Sequence, residues 1–241
     1  MLERVEELTG MGAHRFLGGT FHHVGGQVLR LFGDSIGLPR NYTILDDSDS
    51  DSLLSEVIRD LDPDFFKSKE NPKAKPIKGI ISYSRNVMVP VEEVAKGRYP
   101  SNGELLAKID AFMREYQEAK ISRGLADYDD LLVLWLQVLE TNQDAAQYYQ
   151  DRFSHILVDE YQDVNTLQAK IVDKIGANHQ IMAVGDDAQC IYTWRGADID
   201  QILGFPERHP GTRIFKIETN YRSSPEILKF ANGILENRAT D

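Results

Sequence analysis

Residues Ile156-Leu157-Val158 run directly into two adjacent carboxylates, Asp159 and Glu160. Such a run reads as a buried parallel strand whose carboxyl end delivers acid to a cleft, the place where open α/β sheets bind ligands. Adjacent carboxylates are costly to bury without a cation or a proton to offset them. A Mg²⁺-nucleotide supplies that cation. One carboxylate then anchors the metal, and the other orients or deprotonates an attacking water. A strand ending in a solvated acidic turn is the alternative.

A second apolar run ends at Val184, where Gly185 permits a tight exit. Gln189, a few residues on, is placed to reach a γ-phosphate or the attacking water. Tyr192, Trp194 and Arg195 then combine two aromatic faces with a planar cation, the set that stacks on single-stranded nucleic acid. Two core aromatics and a surface arginine are the plainer reading. A third cluster, Asn220-Tyr221-Arg222-Ser223-Ser224-Pro225, marks a strand-to-helix junction with a serine cap and a first-turn proline. An arginine there can point across a cleft at a phosphate, and a tyrosine can stack on a purine; a plain turn explains the same residues.

Gly19-Thr20-Phe21-His22-His23 offers paired histidines, but no cysteine or further histidine stands at zinc-ligand spacing. Thr20 and His22 suit phosphate or DNA contact, or an ordinary strand end. Asp127, Asp129 and Asp130 open an apolar run, and helix capping alone accounts for them. The Asp46–Asp51 cluster also reads as an N-cap and first turn, because the glycine and distal glutamate of a calcium loop are missing.

These residues need elements to hold them. Strands are expected at 16–21, 155–158, 180–184 and 213–217, and helices at 166–175, 198–203 and 225–235. That alternation predicts a parallel sheet with crossover helices. Leu105, Ile109, Phe112 and Tyr116 give the 104–120 segment one apolar face, and 127–139 is apolar on most faces. Five prolines between 63 and 100 keep helices there short. The 41–125 stretch therefore reads as a mainly helical insertion in an α/β domain.

The 241 residues are 41% hydrophobic, enough for a sizeable core. Apolar runs stay far below a membrane span, so no membrane partner is expected. The single cysteine, Cys190, allows no internal disulfide and suits a reducing cytosol. A net charge of −11 restricts nucleic-acid binding to a local groove.

Taken together and in this order, the clusters resemble the UvrD/Rep-type superfamily 1 DNA helicases. The matching strings are Gly-Thr-Phe-His at 19–22, Asp-Tyr-Asp-Asp-Leu at 127–131 and Val-Asp-Glu-Tyr-Gln-Asp at 158–163. Val-Gly-Asp-Asp-Ala-Gln at 184–189, Ile-Tyr-Thr-Trp-Arg-Gly-Ala at 191–197 and Asn-Tyr-Arg-Ser at 220–223 follow. The resemblance implies a RecA-like, P-loop NTPase-type parallel sheet, incomplete here, with a helical inserted subdomain. It implies ATP and Mg²⁺ as cofactors, and single-stranded and duplex DNA as partners. DNA repair or replication proteins are further candidate partners, in the bacterial cytosol or nucleoid. By resemblance, Asp159 serves the Mg²⁺ sphere and Glu160 is the general base. Gln189 senses the γ-phosphate, Arg222 is the arginine finger and Tyr221 stacks on adenine. Thr20, Phe21, His22, Tyr192, Trp194 and Arg195 line the DNA path, along which the family moves 3′ to 5′.

The chain departs from the family in one respect: it has no Gly-Lys dipeptide, hence no phosphate loop of the Gly-x-x-x-x-Gly-Lys-Ser/Thr kind. Residues 1–5 resemble the segment just after that loop. The expectation is an internal piece of a helicase. Residues 1–40 and 126–222 would belong to the first RecA-like domain, 41–125 to the insertion and 223–241 to the start of the second domain. Such a piece is expected not to hydrolyse ATP by itself. A non-enzymatic module binding single-stranded DNA or a partner, and a helicase-nuclease subunit, are the competing readings.

Overall fold

The computed structural model describes residues 2–12, 16–177 and 180–238. Helix α1 (Leu2–Thr9) precedes α2 (Phe21–Phe32). Strand β1 (Thr43–Ile44) leads into α3 (Asp47–Leu61), α4 (Ala74–Val87), α5 (Val91–Arg98) and α6 (Gly103–Ser122). Strand β2 (Leu125–Ala126) returns parallel to β1, with Thr43 opposite Leu125, so the chain enters and leaves the four helices side by side. Helices α7 (Asp130–Thr141) and α8 (Gln143–Arg152) follow. Strand β3 (His155–Val158), helix α9 (Thr166–Ile175) and strand β4 (Gln180–Ala183) make a parallel strand–helix–strand unit. Short helices α10 (Asp200–Leu203) and α11 (Phe205–Arg208) come next, then α12 (Pro225–Arg238).

Three apolar clusters hold these elements. Val28, Leu29, Trp135, Val138, Tyr149 and Ile171 join α2, α7, α8 and α9. Gly25 makes the α2–α7 approach close, since a Cβ there would lie 2.3 Å from the Leu131 carbonyl oxygen. Leu54, Ile58, Phe65, Ile77, Ile109 and Phe112 form a separate core inside α3–α6. The expected apolar stripe of α6 is the buried one: Leu105, Ile109, Phe112 and Tyr116 all face that core. Prolines punctuate this region as expected, with Pro76 in the first turn of α4 and Pro90 capping α5. Asp46 caps α3 by accepting the Asp49 amide at 2.8 Å. Val158, Tyr161, Val164, Val172 and Phe205 form the third cluster, between β3, α9 and α11.

The fold is mixed α/β with short parallel pairs, and four expectations need correction. Segment 16–21 is not a strand: residues 16–18 have no regular structure, and Phe21 opens α2. The Thr20 hydroxyl accepts the His23 amide at 3.2 Å, a cap that outweighs the local β-propensity. Segment 213–217 is not a strand either, since Ile214, Phe215 and Ile217 are exposed and no ladder partner lies beside them among the described residues. Third, β3 is only half buried. Val158 packs inward, while Leu157 is 73% exposed. The β3–β4 sheet has two strands, and its neighbours cover only the face that carries Ile156, Val158, Ile181 and Ala183.

Fourth, capping alone does not explain Asp127 and Asp130. Both are buried around Lys120, whose ammonium lies 2.6 Å from a carboxylate oxygen of each. Arg85 of α4 adds a contact to Asp130 at 3.3 Å, and the Tyr116 hydroxyl donates to Asp127 at 2.9 Å. Capping is one part of the arrangement, because Asp127 Oδ1 also accepts the Asp130 amide at 3.0 Å. Lys120 stands only seven residues before Asp127, at the end of α6, but Arg85 comes from 45 residues before Asp130, and no sequence spacing reveals that second cation.

Candidate functional site

The carboxyl ends of β3 and β4 carry the acids. The Val184 amide donates to the Val158 carbonyl at 2.9 Å, and the Tyr161 amide donates back to the Val184 carbonyl at 2.8 Å. These bonds extend the parallel pairing past the strands and force the chain to turn sharply at Glu160. Its φ of +50° lies in the left-handed region, a conformation that costs a non-glycine residue about 1–3 kcal/mol. Asp159 Oδ1 accepts the Glu160 amide at 3.0 Å and steadies the turn. Both carboxylates are exposed rather than buried.

A hydrogen-bonded string joins the two strand ends. Gln162, 1% exposed, donates its amide to Glu160 Oε2 at 2.8 Å. Its Oε1 accepts the Asp186 backbone amide at 3.0 Å. Asp186 in turn accepts the Gln189 side-chain amide at 2.7 Å and the Ala188 amide at 3.0 Å. Glu160 and Gln189, far apart in sequence, thus share one scaffold. Gly185 is required by close approach: a Cβ there would stand 2.5 Å from Gln162 Oε1. Gln162 and Asp186 lie within the motifs but were not expected at the site. Nothing in their spacing marks them as bridges. Beside them, burial and the neighbouring Glu160 charge raise the carboxyl pKa of Asp163.

As a metal site this end is sparse. Among the described residues no three histidine, cysteine or carboxylate side chains gather around one point. Asp159 fits a Mg²⁺ held by one carboxylate and completed by phosphate oxygens and water, the ordinary pattern for that ion beside a nucleotide.

Beyond Gln189 the chain makes a short helical turn over Thr193–Arg195 that presents the aromatics. Trp194 is 64% exposed and Tyr192 40%, so neither is a core residue. The side chain of Arg195 lies outside the described residues. Gly196 follows at φ +88°, and a Cβ there would come within 2.9 Å of Val87 Cγ1 at the end of α4. Ala197 pairs with Asn165 in an isolated antiparallel bridge. The aromatic turn is therefore docked between α4 and the start of α9.

Thr20, Phe21 and His22 sit together at the start of α2. The Thr20 hydroxyl is engaged as the helix cap. Phe21 is partly buried against both the α2–α7 core and the β3–α9 core. His22 meets Tyr128 edge-on at 6.0 Å. Burial lowers its pKa, against the pull of the nearby Asp129 charge. Tyr221 and Arg222 are not brought to the acids. Tyr221 is 93% exposed, and among the described residues no hydrogen bond or ion pair links the Arg222 side chain to Asp159, Glu160 or Gln189.

The sequence is similar to those of known proteins. ATP-dependent DNA helicase PcrA of Bacillus subtilis (strain 168) is 35% identical over 242 residues, covering 99% of this chain and 32% of the relative. PcrA of Staphylococcus epidermidis (strain ATCC 12228) is 34% identical and that of Staphylococcus aureus (strain NCTC 8325) 33%, each with 99% and 32% coverage. The chain thus spans about a third of the length of these curated relatives. The pattern of the UvrD/REP helicase N-terminal domain runs through residues 1–210, and the chain belongs to that family.

Proposed function

We propose that this chain is part of an ATP-dependent DNA helicase that couples ATP hydrolysis to 3′-to-5′ movement along single-stranded DNA and to duplex unwinding. The observation that carries the reading is the string Glu160–Gln162–Asp186–Gln189, which ties the acid at one strand end to the amide at the next and leads directly into the exposed aromatic turn. A nucleotide-dependent change at Glu160 then has a short hydrogen-bonded path towards the DNA contact. The 3′-to-5′ direction rests on the family alone.

In this reading residues 1–40 and 126–222 build the first RecA-like domain, 41–125 the helical insertion, and 223–241 the start of the second domain. Asp159 would hold a Mg²⁺, which would supply positive charge to offset that of the nucleotide's phosphates. Glu160, steadied by Gln162, takes the proton of the attacking water. Gln189 senses the γ-phosphate, Arg222 supplies the finger and Tyr221 stacks on adenine. The exposed Arg222 segment fits a residue that completes the site only when domains close. Thr20, Phe21, His22, Tyr192, Trp194 and Arg195 carry single-stranded DNA, and duplex DNA is the substrate to be opened. Without a phosphate loop, these 241 residues alone do not turn over ATP at a helicase-like rate.

Tryptophan fluorescence tests the DNA half of the proposal. Of the two tryptophans, Trp135 is buried and Trp194 exposed, so a change on adding single-stranded DNA reports Trp194. The expected result is salt-sensitive binding that ignores Mg-ATP; anisotropy of a fluorescein-labelled oligonucleotide, which needs no protein tryptophan, should show it weakened in Trp194→Ala by roughly the 1–3 kcal/mol typical of a stacked base. Binding unchanged by that substitution at several salt concentrations removes the stacking role. No binding at all favours a module that meets a protein partner.

A further inference from the structure

We propose that Asn86 and Asn165 are positioning residues for the DNA contact of Trp194, acting through a directional hydrogen-bond relay that runs from Asp129 to Asn86 to Asn165. The inference rests on the reading of Trp194 as a single-strand contact. Asn86 lies in the last turn of α4 and Asn165 is the N-cap of α9, 79 residues away. Asn86 Nδ2 donates to Asp129 Oδ1 at 3.1 Å and to the Ser82 carbonyl at 2.9 Å. Its Oδ1 accepts Asn165 Nδ2 at 2.8 Å, and Asn165 Oδ1 accepts the Gln168 amide at 2.9 Å.

Donor and acceptor chemistry fixes both asparagine amides of the relay. A carboxylate and a carbonyl only accept, so the Asn86 NH₂ must face Asp129 and Ser82. Its oxygen then faces Asn165, whose own NH₂ must turn towards it. That leaves the Asn165 oxygen for the Gln168 amide, which is a donor. Flipping either side-chain amide sets two acceptors or two donors against each other.

The relay joins the two clusters assigned to DNA. At one end Asp129 adjoins Tyr128, whose ring meets His22, and its charge acts on the His22 imidazole. At the other end Asn165 pairs through its backbone with Ala197, and the Asp198 amide donates to the Val164 carbonyl at 3.4 Å. The Gly196 Cα lies where a Cβ would sit 3.6 Å from Asn86 Cβ and 4.0 Å from Asn165 Cβ. The helical insertion thereby sets the position of the aromatic turn relative to the start of α2.

Asn165→Asp isolates the effect. An aspartate keeps the helix cap, since it still accepts the Gln168 amide, but it cannot donate to Asn86. Asn86→Asp breaks the other link by setting a second carboxylate against Asp129, and it carries the test if the first variant does not fold. In the 241-residue chain, affinity for fluorescein-labelled oligo-dT is read by anisotropy in both variants and in Trp194→Ala, and the tryptophan fluorescence change is read in the two asparagine variants. The expected result is a loss of affinity of about fivefold, the factor of one hydrogen bond. A reduced fluorescence change at saturating DNA should accompany it, well below the melting temperature of each variant. A purely structural role leaves that saturating amplitude unchanged. Wild-type affinity and amplitude in both asparagine variants, with Trp194→Ala still impaired, overturns the relay while the DNA reading stands. An unimpaired Trp194→Ala overturns both.

Discussion

Gln162 holds Glu160: the buried amide donates to the exposed carboxylate at 2.8 Å, while its oxygen takes the Asp186 backbone amide. A residue outside the expected catalytic set thus fixes the expected base. Gln162→Leu should remove both bonds and destabilise the chain by about 1–3 kcal/mol. Gly185→Ala should act in the same direction, because its new methyl group displaces the same oxygen. Urea unfolding of both variants measures the effect, and wild-type midpoints would show that the string contributes nothing to stability.

Glu160→Gln replaces the proposed base with a neutral amide of the same shape. In a helicase that contains the phosphate loop, nucleotide binding should persist while turnover falls by the 10²–10⁴-fold, roughly, of a lost general base. Parallel nucleotide-binding and phosphate-release assays separate the two. Retained turnover would reassign the proton to another group.

Lys120→Met should be among the most damaging single changes in the chain. It leaves Asp127 and Asp130 buried with only Arg85 nearby, a loss of about 3–5 kcal/mol. The same cluster sets an acid limit. Burial works to raise the Asp127 carboxyl, but the Lys120 ammonium and the Arg85 guanidinium outweigh it and hold the group below its ordinary 3.8. A carboxyl depressed in the folded state contributes stability above its unfolded value and loses it as pH falls towards the folded one. Stability of the wild-type chain should therefore drop below about pH 4. Burial and the Asp127 charge raise the neighbouring Asp130 carboxyl, whose protonation acts in the opposite sense, so denaturant midpoints that rise from pH 6 down to pH 2 would contradict the dominance of Asp127.

An alkaline limit has a different origin. Burial and the neighbouring Tyr148 push the Tyr149 phenol up to about 12 from 10.0. An acid raised by folding contributes stability that is complete below its unfolded value and is lost as pH rises through the folded one. Stability should fall between pH 10 and 12, and Tyr149→Phe should make that fall shallower. Melting curves across the interval decide the point; equal slopes in both proteins would remove Tyr149 from the account.

Much of this molecule was legible before any tertiary structure. The strand 155–158 and the helix 166–175 appear with the expected bounds, because apolar run length, a capping asparagine and a closing glycine act within a few residues of chain. The Asp46 cap and the buried face of α6 are equally local. The order of the motifs pointed to the family that the match over residues 1–210 shows. Chemistry carried in short contiguous strings is a property of the residues themselves.

Tertiary structure decided which side chains meet and which segments find partners. Segment 213–217 has the composition of a strand, yet backbone groups form a ladder only against a neighbour, and none stands there among the described residues. Leu157 belongs to an apolar run but is exposed, because burial depends on what covers a face and not on the run itself. Lys120 beneath Asp127 and Asp130, Gln162 between Glu160 and Asp186, and Asn86 against Asn165 are pairings set by how helices pack. Sequence alone determined the inventory of acids, amides and aromatics, since those are properties of residues. Their hydrogen-bond partners are properties of distance, which only the folded chain supplies.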